Sequence, residues 1–400
     1  MIIGIFEVSE PNHYSAVNGL LKTYASDPSN EIVVYTLPAI QKALQENGLP
    51  KNSRLVVLED NQSLKKLLDE AEKTTFDRIH ICTIFDNYPE FARFKPQTKD
   101  IYFHVHQVEE WYNDNFDRAI NTLIPSLKNK DQNRQYSRII ARAVRDYLFY
   151  KPLRAKMLAD YDRNYNLQLI VHSEGQKEAL EEYNCKSPIT IFPFAIYEGM
   201  EDSSQDNQVL RICIPGVITQ AKRDYFSLFE VLEQNADALA ERMDLYLLGY
   251  VSDREQDKMG AAIQKLIDAG YQVYYHDSFV YGEEFDKAIS NCDLLLNNQF
   301  ISKNSTEVYG KTKESGMIFN MLRAAKPGLL PKEYNVSEEF NDCTLFFDSY
   351  PHLIELVKEV VHNPQQLEQL KAAARKLSTS YLPNNLYPRL VSVESTVVSS

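Results

Sequence analysis

Short apolar runs alternate with stretches of helical length along most of this 400-residue chain, and no other feature constrains its fold as strongly. The runs are rich in Ile, Val, Leu and Tyr, and between most of them apolar residues recur at the three- and four-residue spacing of one helix face. Strand, helix and strand in this rhythm predict a parallel sheet with helices on both faces. The expected fold class is therefore α/β.

The apolar runs of the first half define one set of strands, with helices between most of them. The predicted strands are Ile2–Val8, Glu31–Leu37, Arg54–Leu58, Arg78–Thr83, Asp100–Val105, Leu167–Val171 and Ile189–Phe192. The predicted helices include Tyr14–Tyr24, Ala39–Asn47, Ser63–Lys73 and Glu174–Tyr183.

The polar segment Tyr197–Gln208 separates this set from a second one, and its acidic, aperiodic sequence is typical of an interdomain linker. The strands predicted after it are Leu210–Ile214, Asp244–Leu248, Gln272–Tyr275, Asp293–Asn297 and Leu329–Leu330. The helices predicted after it are Asp224–Gln234, Glu255–Ala269, Glu283–Asn291, Ser315–Ala325 and Pro351–His362.

The length of the chain fits two domains, because a single core stops growing near about 250–300 residues. We predict a first domain at residues 1–200, a second at 201–375, and a C-terminal tail at 376–400 that could pack back on the first. Both domains would be Rossmann-like and doubly wound. They would face a central cleft lined by the carboxyl ends of their strands, where open α/β sheets bind ligands.

Composition excludes several classes of protein. The net charge of -13 argues against a nucleic-acid-binding surface, which needs a basic face. The chain has no apolar run of about 18 residues and no signal-peptide pattern at its start, so we expect a cytoplasmic protein. Its five cysteines are widely spaced and form no CxxC pair, which predicts buried thiols in a reducing compartment.

Two basic loops follow predicted strands of the second domain. In the first, Pro215-Gly216 ends a strand and Lys222-Arg223 precedes a helix, so that Gly216 permits a sharp turn and both cations can bind a phosphate. In the second, Lys311 and Lys313 precede Ser315 and Gly316 at the start of another helix. Ser315 could cap that helix, and its free backbone N–H groups would face an anion. The two loops together predict a diphosphate site.

These loops carry a family resemblance. The segments IPGVITQAKRDYFSLFEVL, LYLLGY, VYYHDSFVYGEEFDKAISNCDLLLNN and YGKTKESGMIFNMLRAAKPGLLP resemble, in order and spacing, the C-terminal domain of GT-B glycosyltransferases over about residues 209–332. The first domain matches in layout and in fragments such as IYFHVHQVEEW. The resemblance implies a nucleotide-diphosphate-sugar donor on the second domain, an acceptor on the first, no cofactor, and sugar transfer without a metal ion.

The sequence departs from the family 4-like members that it resembles at the two glutamates that bracket the second loop. The position near the donor sugar falls at Thr312 and the ribose position at Asn320, which could still bind a ribose hydroxyl. Glu307 and Glu314 lie close enough in sequence to substitute, and we predict a catalytic role for Glu314. Retention of configuration therefore cannot be inferred. Phe279-Val280 occupies the position where the resemblance implies contacts with the base, although ordinary core packing fits these two residues equally well.

The first domain would supply the acceptor side. His104 and His106 end a predicted strand, and we expect the two rings to point to opposite faces, one toward the cleft and one into the core. His106, followed by Glu109, is the candidate that orients or deprotonates an acceptor hydroxyl, because a neutral imidazole is a base near physiological pH. His13, after the first strand, is a second acceptor-side candidate. A buried, hydrogen-bonded histidine remains the alternative for His106.

One basic segment interrupts the acidic trend of the chain. Residues 128–156 carry Arg134, Arg138, Arg142 and Arg145 at helical spacing, next to aromatic residues. This pattern fits a helix that lies on an anionic membrane surface or binds a lipid-linked pyrophosphate, and it also fits a solvated helix face. If the segment binds lipid, the protein is peripheral on the inner face of the cell membrane.

Two classes of function follow from these observations. The first is a glycosyltransferase that moves a sugar from a UDP- or GDP-sugar to a glycan or lipid-linked acceptor, in a setting that the resemblance suggests to be bacterial surface polysaccharide or glycoconjugate biosynthesis. A nucleotide-sugar epimerase is a related enzyme on the same fold. The second class is a noncatalytic nucleotide-sugar-binding or scaffolding protein, which the missing glutamate pair leaves open.

Overall fold

The computed structural model describes residues 1–59, 63–112, 148, 151–200, 203, 209–251, 256–276, 278, 280, 282–301 and 307–391. These residues form two compact units. The first contains Met1–Phe194 together with residues 307–313 and 387–391, and the second contains Ala195–Ile301 and Glu314–Leu386. Segments from the C-terminal part of the chain belong to both units, so the chain passes from one unit to the other more than once.

Within the described residues, the first unit is built on a seven-stranded parallel sheet in the order β3-β2-β1-β4-β5-β6-β7. Its strands are β1 Ile2–Glu7, β2 Glu31–Thr36, β3 Ser53–Val57, β4 Arg78–Thr83, β5 Asp100–His104, β6 Asn166–Val171 and β7 Ile189–Ile191. Its helices are α1 Tyr14–Ala25, α2 Pro38–Glu46, α3 Leu64–Ala71, α4 Tyr88–Phe91, α5 Val108–Tyr112, α6 Lys151–Asn164 and α7 Glu174–Glu182.

The second unit repeats this plan with a six-stranded parallel sheet among its described residues, in the order β10-β9-β8-β11-β12-β13. Its strands are β8 Leu210–Pro215, β9 Met243–Tyr250, β10 Gln272–His276, β11 Leu294–Leu296, β12 Gly328–Pro331 and β13 Thr344–Phe347. Its helices are α8 Tyr225–Gln234, α9 Ala236–Leu239, α10 Gln256–Asp268, α11 Gly282–Ser290, α12 Gly316–Ala324, α13 Tyr350–His362, α14 Pro364–Thr379 and the start of α15 Pro383–Val391.

Strand order reverses once in each sheet, between β1 and β4 in the first and between β8 and β11 in the second. Helices cover both faces, so the central strands bury apolar side chains in their middle: Ile3 and Ile5 are fully buried on β1, and Leu294 and Leu295 on β11. Such a reversal opens a crevice at the carboxyl ends of its two strands, where doubly wound sheets bind ligands. Each unit therefore has one preferred place for a site.

The predicted α/β class with two doubly wound parallel sheets is confirmed. The sequence prediction missed β13 and α14, because a four-residue strand and a polar helix give weak periodic signals.

Most of the basic segment, including Arg134, Arg138, Arg142 and Arg145, lies outside the described residues, and so does Phe279. Among the described helices, none has the length and apolar composition that a membrane span requires.

A buried ion pair ties the late helix α14 to the second sheet. Lys371 Nζ lies 2.7 Å from Asp293 Oδ1 at the start of β11, and each side chain is 7% exposed. The other carboxylate oxygen of Asp293 accepts a hydrogen bond from the backbone N–H of Arg211 at 2.8 Å. Removing one member of such a pair leaves an uncompensated buried charge.

We expect Lys371→Ala to lower the free energy of unfolding by about 3–5 kcal/mol, because Asp293 loses its buried cation. Urea unfolding followed by circular dichroism measures the change. Lys376→Ala, in the same helix but exposed, is the matched control and should change stability by no more than about 0.5 kcal/mol. Equal effects of the two substitutions would show that the pair does not anchor α14.

Candidate functional site

The site of the second unit begins with a close approach of two glycine backbones at the end of β8. Gly216 has a φ of +106°, a backbone conformation that residues with a side chain rarely adopt. A Cβ on Gly249, on the neighbouring strand β9, would lie 2.2 Å from the Gly216 carbonyl oxygen. The turn after β8 can form only because both positions lack a side chain.

Arg223 lies inside this turn rather than on the surface. The residue is 7% exposed, and its Nη2 donates to the Pro215 carbonyl oxygen at 2.5 Å. Its Nη1 is buried and has no hydrogen-bond partner among the described residues. Lys222, by contrast, is exposed. Of the two cations predicted to bind a phosphate, only Lys222 is a surface charge.

Asn297 and Asn298 follow β11 on the other side of the reversal. Both are almost fully buried, and within the described residues the Nδ2 atom of Asn297 and both polar side-chain atoms of Asn298 lack hydrogen-bond partners. The backbone holds them in place, since the N–H of Asp224 donates to the Asn298 carbonyl oxygen at 2.9 Å. Buried polar atoms are nearly always satisfied in native proteins, so a group of them at one crevice indicates a ligand site.

Helix α12 begins beside this group. Ser315 caps it, as its sequence position predicts, by accepting from the N–H of Met317 at 3.2 Å and donating to Gln299. Gly316 is exposed, and a Cβ there would meet no atom within 4 Å. The space beside Gly316 in the first turn is therefore open, while the N–H groups of Met317 and Ile318 already donate to Ser315. A helix start with open space beside it can accommodate an anion.

The remaining donor-side candidates of the second unit differ in environment. The Glu314 carboxylate accepts from the Ser315 N–H at 2.9 Å and from the Tyr334 hydroxyl, so protein groups already engage it. Val280 is 5% exposed, as its core alternative predicts, and Asn320 is half-buried on α12.

Lys311 and Lys313 belong to the first unit, although the sequence analysis grouped them with the second. Lys311 Nζ lies 2.8 Å from a carboxylate oxygen of Glu182, and Lys313 Nζ lies 5.8 Å from the centre of the Tyr309 ring. Thr312, between them, is buried and donates its hydroxyl hydrogen to Glu109. Glu109 is 1% exposed, and this contact joins two residues of the first unit.

The strand reversal of the first unit carries a cluster of imidazoles around one carboxylate. Glu7, at the end of β1, is fully buried and lies 3.1 Å from His13 Nδ1. The same nitrogen lies 2.8 Å from Thr83 Oγ1, at the end of β4, and that oxygen lies 3.2 Å from His106 Nε2. The acceptor-side candidates His13 and His106 are therefore brought together.

His106 also contacts a residue that sequence reasoning did not single out. Its Nδ1 lies 2.8 Å from His172 Nε2, and His172 Nδ1 lies 2.9 Å from the Phe192 carbonyl oxygen. Burial, reinforced by the neighbouring His13, holds the pKa of His106 well below its ordinary value, and burial lowers the pKa of His172 to about 4. Both nitrogens of His106 contact protein groups, Nδ1 with His172 and Nε2 with the Cys82 carbonyl oxygen, so a ligand of this ring would have to displace one of these contacts.

The expectation that His104 and His106 point to opposite faces is wrong. Residues two apart along a strand share a face, and the two ring centres lie 6.2 Å apart. His104 is buried and extends the series of ring contacts into the core, since its Nε2 lies 3.1 Å from His80 Nδ1. His80 Nε2 in turn lies 2.7 Å from the Tyr24 hydroxyl, and burial keeps the pKa of both rings well below the usual value.

Sequence reasoning missed five residues of these two crevices: Glu7, Thr83, His172, Asn297 and Asn298. Glu7, Thr83 and Asn297 are polar residues at the end of a predicted apolar strand, and Asn298 and His172 directly follow such strands. A polar residue at the carboxyl end of a predicted strand indicates a possible site residue, because the carboxyl ends of parallel strands meet at one edge of the sheet.

No protein-family model and no curated protein matches the chain, but solved structures do. HepE of Anabaena, solved with UDP and glucose, is 13% identical with a TM-score of 0.60, over 98% of this chain and 99% of that one. The pneumococcal O-GlcNAc transferase GtfA, solved with UDP and GlcNAc, is 10% identical with a TM-score of 0.57, over 98% of each chain. A UDP-N-acetylglucosamine 2-epimerase is 11% identical with a TM-score of 0.50, over 93% of this chain and 90% of that one. The chain therefore has the two-domain α/β fold of the GT-B glycosyltransferases and of this epimerase.

Proposed function

We propose that the protein is a glycosyltransferase that uses a nucleotide-diphosphate sugar, with UDP as the nucleotide, and that the second unit binds this donor. The observation that carries the proposal is the group of buried polar atoms without hydrogen-bond partners at the reversal between β8 and β11. The fold shared with UDP-bound transferases supports the choice of nucleotide.

The chemistry of the crevice suits a diphosphate. Arg223 Nη1 and the amide nitrogens of Asn297 and Asn298 are N–H donors, and the capped start of α12 adds the positive end of a helix dipole. When the bond between the sugar carbon and the β-phosphate oxygen breaks, negative charge develops on that phosphate. Donors that are already fixed in place stabilise this charge without further reorganisation.

The first unit would take the acceptor, which we propose to be a glycan or lipid-linked sugar of bacterial polysaccharide assembly. His13 and His106 lie together at the reversal between β1 and β4, where polar groups can orient a hydroxyl. The contacts that both nitrogens of His106 make with protein groups favour the orienting role of this ring over that of general base. Attachment to the inner face of the membrane rests on the basic segment alone.

Two alternatives have support of their own. The fold is shared with a UDP-N-acetylglucosamine 2-epimerase, which favours an epimerase as the second candidate. Thr312 and Asn320, where the resemblance implies glutamates, favour a protein that binds the donor without turning it over.

One experiment separates the three candidates. The protein is incubated with UDP-glucose and with UDP-N-acetylglucosamine in the absence of acceptor, and the mixture is followed by proton and phosphorus NMR. A transferase slowly releases UDP and free sugar, an epimerase produces a new UDP-sugar, and a binding protein leaves the donor intact. Only the first outcome supports the proposal.

We expect Arg223→Ala to weaken UDP binding by about ten-fold or more, since a charge-assisted hydrogen bond contributes about 1.5–3 kcal/mol. Calorimetric titration with UDP measures the loss, and thermal melting checks that the variant is folded. Arg242→Ala, an exposed arginine of the same unit beside His362, should bind UDP like the wild type. Unchanged affinity in a folded Arg223→Ala protein contradicts the assignment.

Asn298→Ala should weaken UDP binding without a comparable change in the free energy of unfolding. The side chain makes no hydrogen bond within the described residues, so its loss should change the free energy of unfolding by less than about 1 kcal/mol while weakening UDP binding about three- to ten-fold. Asn235→Ala is the inverse control, because its amide donates to the Val231 carbonyl oxygen away from the crevice. That variant should lose stability and keep its affinity for UDP. The opposite pattern would place the ligand elsewhere.

A further inference from the structure

Glu7 is a buried carboxylate without a lysine or arginine partner among the described residues. The residue has no exposed surface, and its hydrogen-bond partners are the backbone N–H groups of Ser9 and Glu10 and the His13 ring. Of these, His13 forms an ion pair only when its ring is protonated. Burying a carboxylate without a cation is costly, so a positive charge is expected beside it.

Two imidazole nitrogens share this corner of the molecule with the carboxylate. One carboxylate oxygen of Glu7, one ring nitrogen of His13 and one ring nitrogen of His106 all lie within 4.8 Å of one another. Thr83 Oγ1 lies between the two rings, 2.8 Å from His13 Nδ1 and 3.2 Å from His106 Nε2. Two histidines and one carboxylate are a common ligand set for divalent transition metals.

Outer contacts fix the orientation of two of these ligands. His106 Nδ1 lies against His172 Nε2, and His172 is anchored in turn on the Phe192 carbonyl oxygen. The Oε1 atom of Glu7 accepts from the backbone N–H groups of Ser9 and Glu10, at 3.3 and 3.1 Å. Metal ligands in proteins are typically held by such second contacts.

The contacts of His106 and His172 are compatible with a cation on Nε2 of His106. That nitrogen lies 2.9 Å from the Cys82 carbonyl oxygen and 3.2 Å from Thr83 Oγ1, so a metal ion would take the place of one of these contacts. With Nε2 on the metal ion, Nδ1 of His106 carries the ring hydrogen and donates to His172 Nε2, and His172 Nδ1 donates to the Phe192 carbonyl oxygen.

We propose that Glu7, His13 and His106 bind one zinc ion in the first unit. Three protein ligands leave one coordination position open for water or a substrate oxygen, as in catalytic rather than structural zinc sites. This site does not depend on the proposed transferase activity. It is also separate from the expectation of metal-free diphosphate binding, which concerns the second unit.

Metal-free protein, prepared by dialysis against a chelator, tests the proposal. Calorimetry with Zn²⁺ and the visible spectrum with Co²⁺ should both show one equivalent bound, with the intense absorption bands of tetrahedral cobalt. Glu7→Gln and His106→Gln should lose stoichiometric binding. His172→Gln, which removes an outer contact, should bind about 10- to 100-fold more weakly.

His362→Gln, an exposed histidine of the second unit, is the matched control and should bind zinc like the wild type. UDP titration of every variant checks that the second unit is intact, so a failure of the zinc site and a failure of the donor site can be told apart. If wild-type protein gives no tetrahedral cobalt spectrum, or binds zinc no better than Glu7→Gln, the extra charge is a proton on the histidines and the zinc site does not exist. The wild-type spectrum decides the question even if a variant does not fold.

Discussion

The reversal of strand order in each parallel sheet is the constraint on which the rest of this structure depends. Parallel strands need crossover helices, and when successive crossovers leave from one central strand in opposite directions, the helices cannot cover the crevice between the two central strands. In the first unit this crevice lies between β1 and β4, and in the second between β8 and β11. The polar groups that we propose to bind ligands lie at these two places or directly beside them.

The two crevices hold opposite kinds of chemistry. The second unit presents N–H donors and a helix start, with Arg223 held under the Gly216 turn by a backbone carbonyl. The first presents a buried carboxylate and imidazole nitrogens, which accept hydrogen bonds or coordinate a cation. A donor-rich site selects anions and an acceptor-rich site selects protons or metal ions, so the two units are suited to different ligands.

The crevice of the second unit reduces stability in the absence of ligand. A buried polar atom without a partner costs about 1–3 kcal/mol, and the second unit holds several of them within the described residues. Elsewhere in that unit even a buried lysine is paired, as Lys371 with Asp293 shows. Four buried atoms without partners are concentrated at this one crevice, on Arg223, Asn297 and Asn298, whereas the other such atoms among the described residues are spread over different parts of the chain. This concentration is more informative about function than the fold itself.

The sequence by itself determined the α/β class, the two successive doubly wound sheets and the bounds of most strands to within one or two residues. These features depend on local apolar periodicity, which is written along the chain. It also determined the Ser315 cap and the sharp turn at Gly216, since capping and positive φ are local properties. Tertiary structure decided which residues share a site: that Glu7 meets His13 and His106, that Arg223 is buried, and that Lys311 belongs to the first unit. Those facts depend on strand order and burial, which bring together residues far apart in the chain and have no local signature in the sequence.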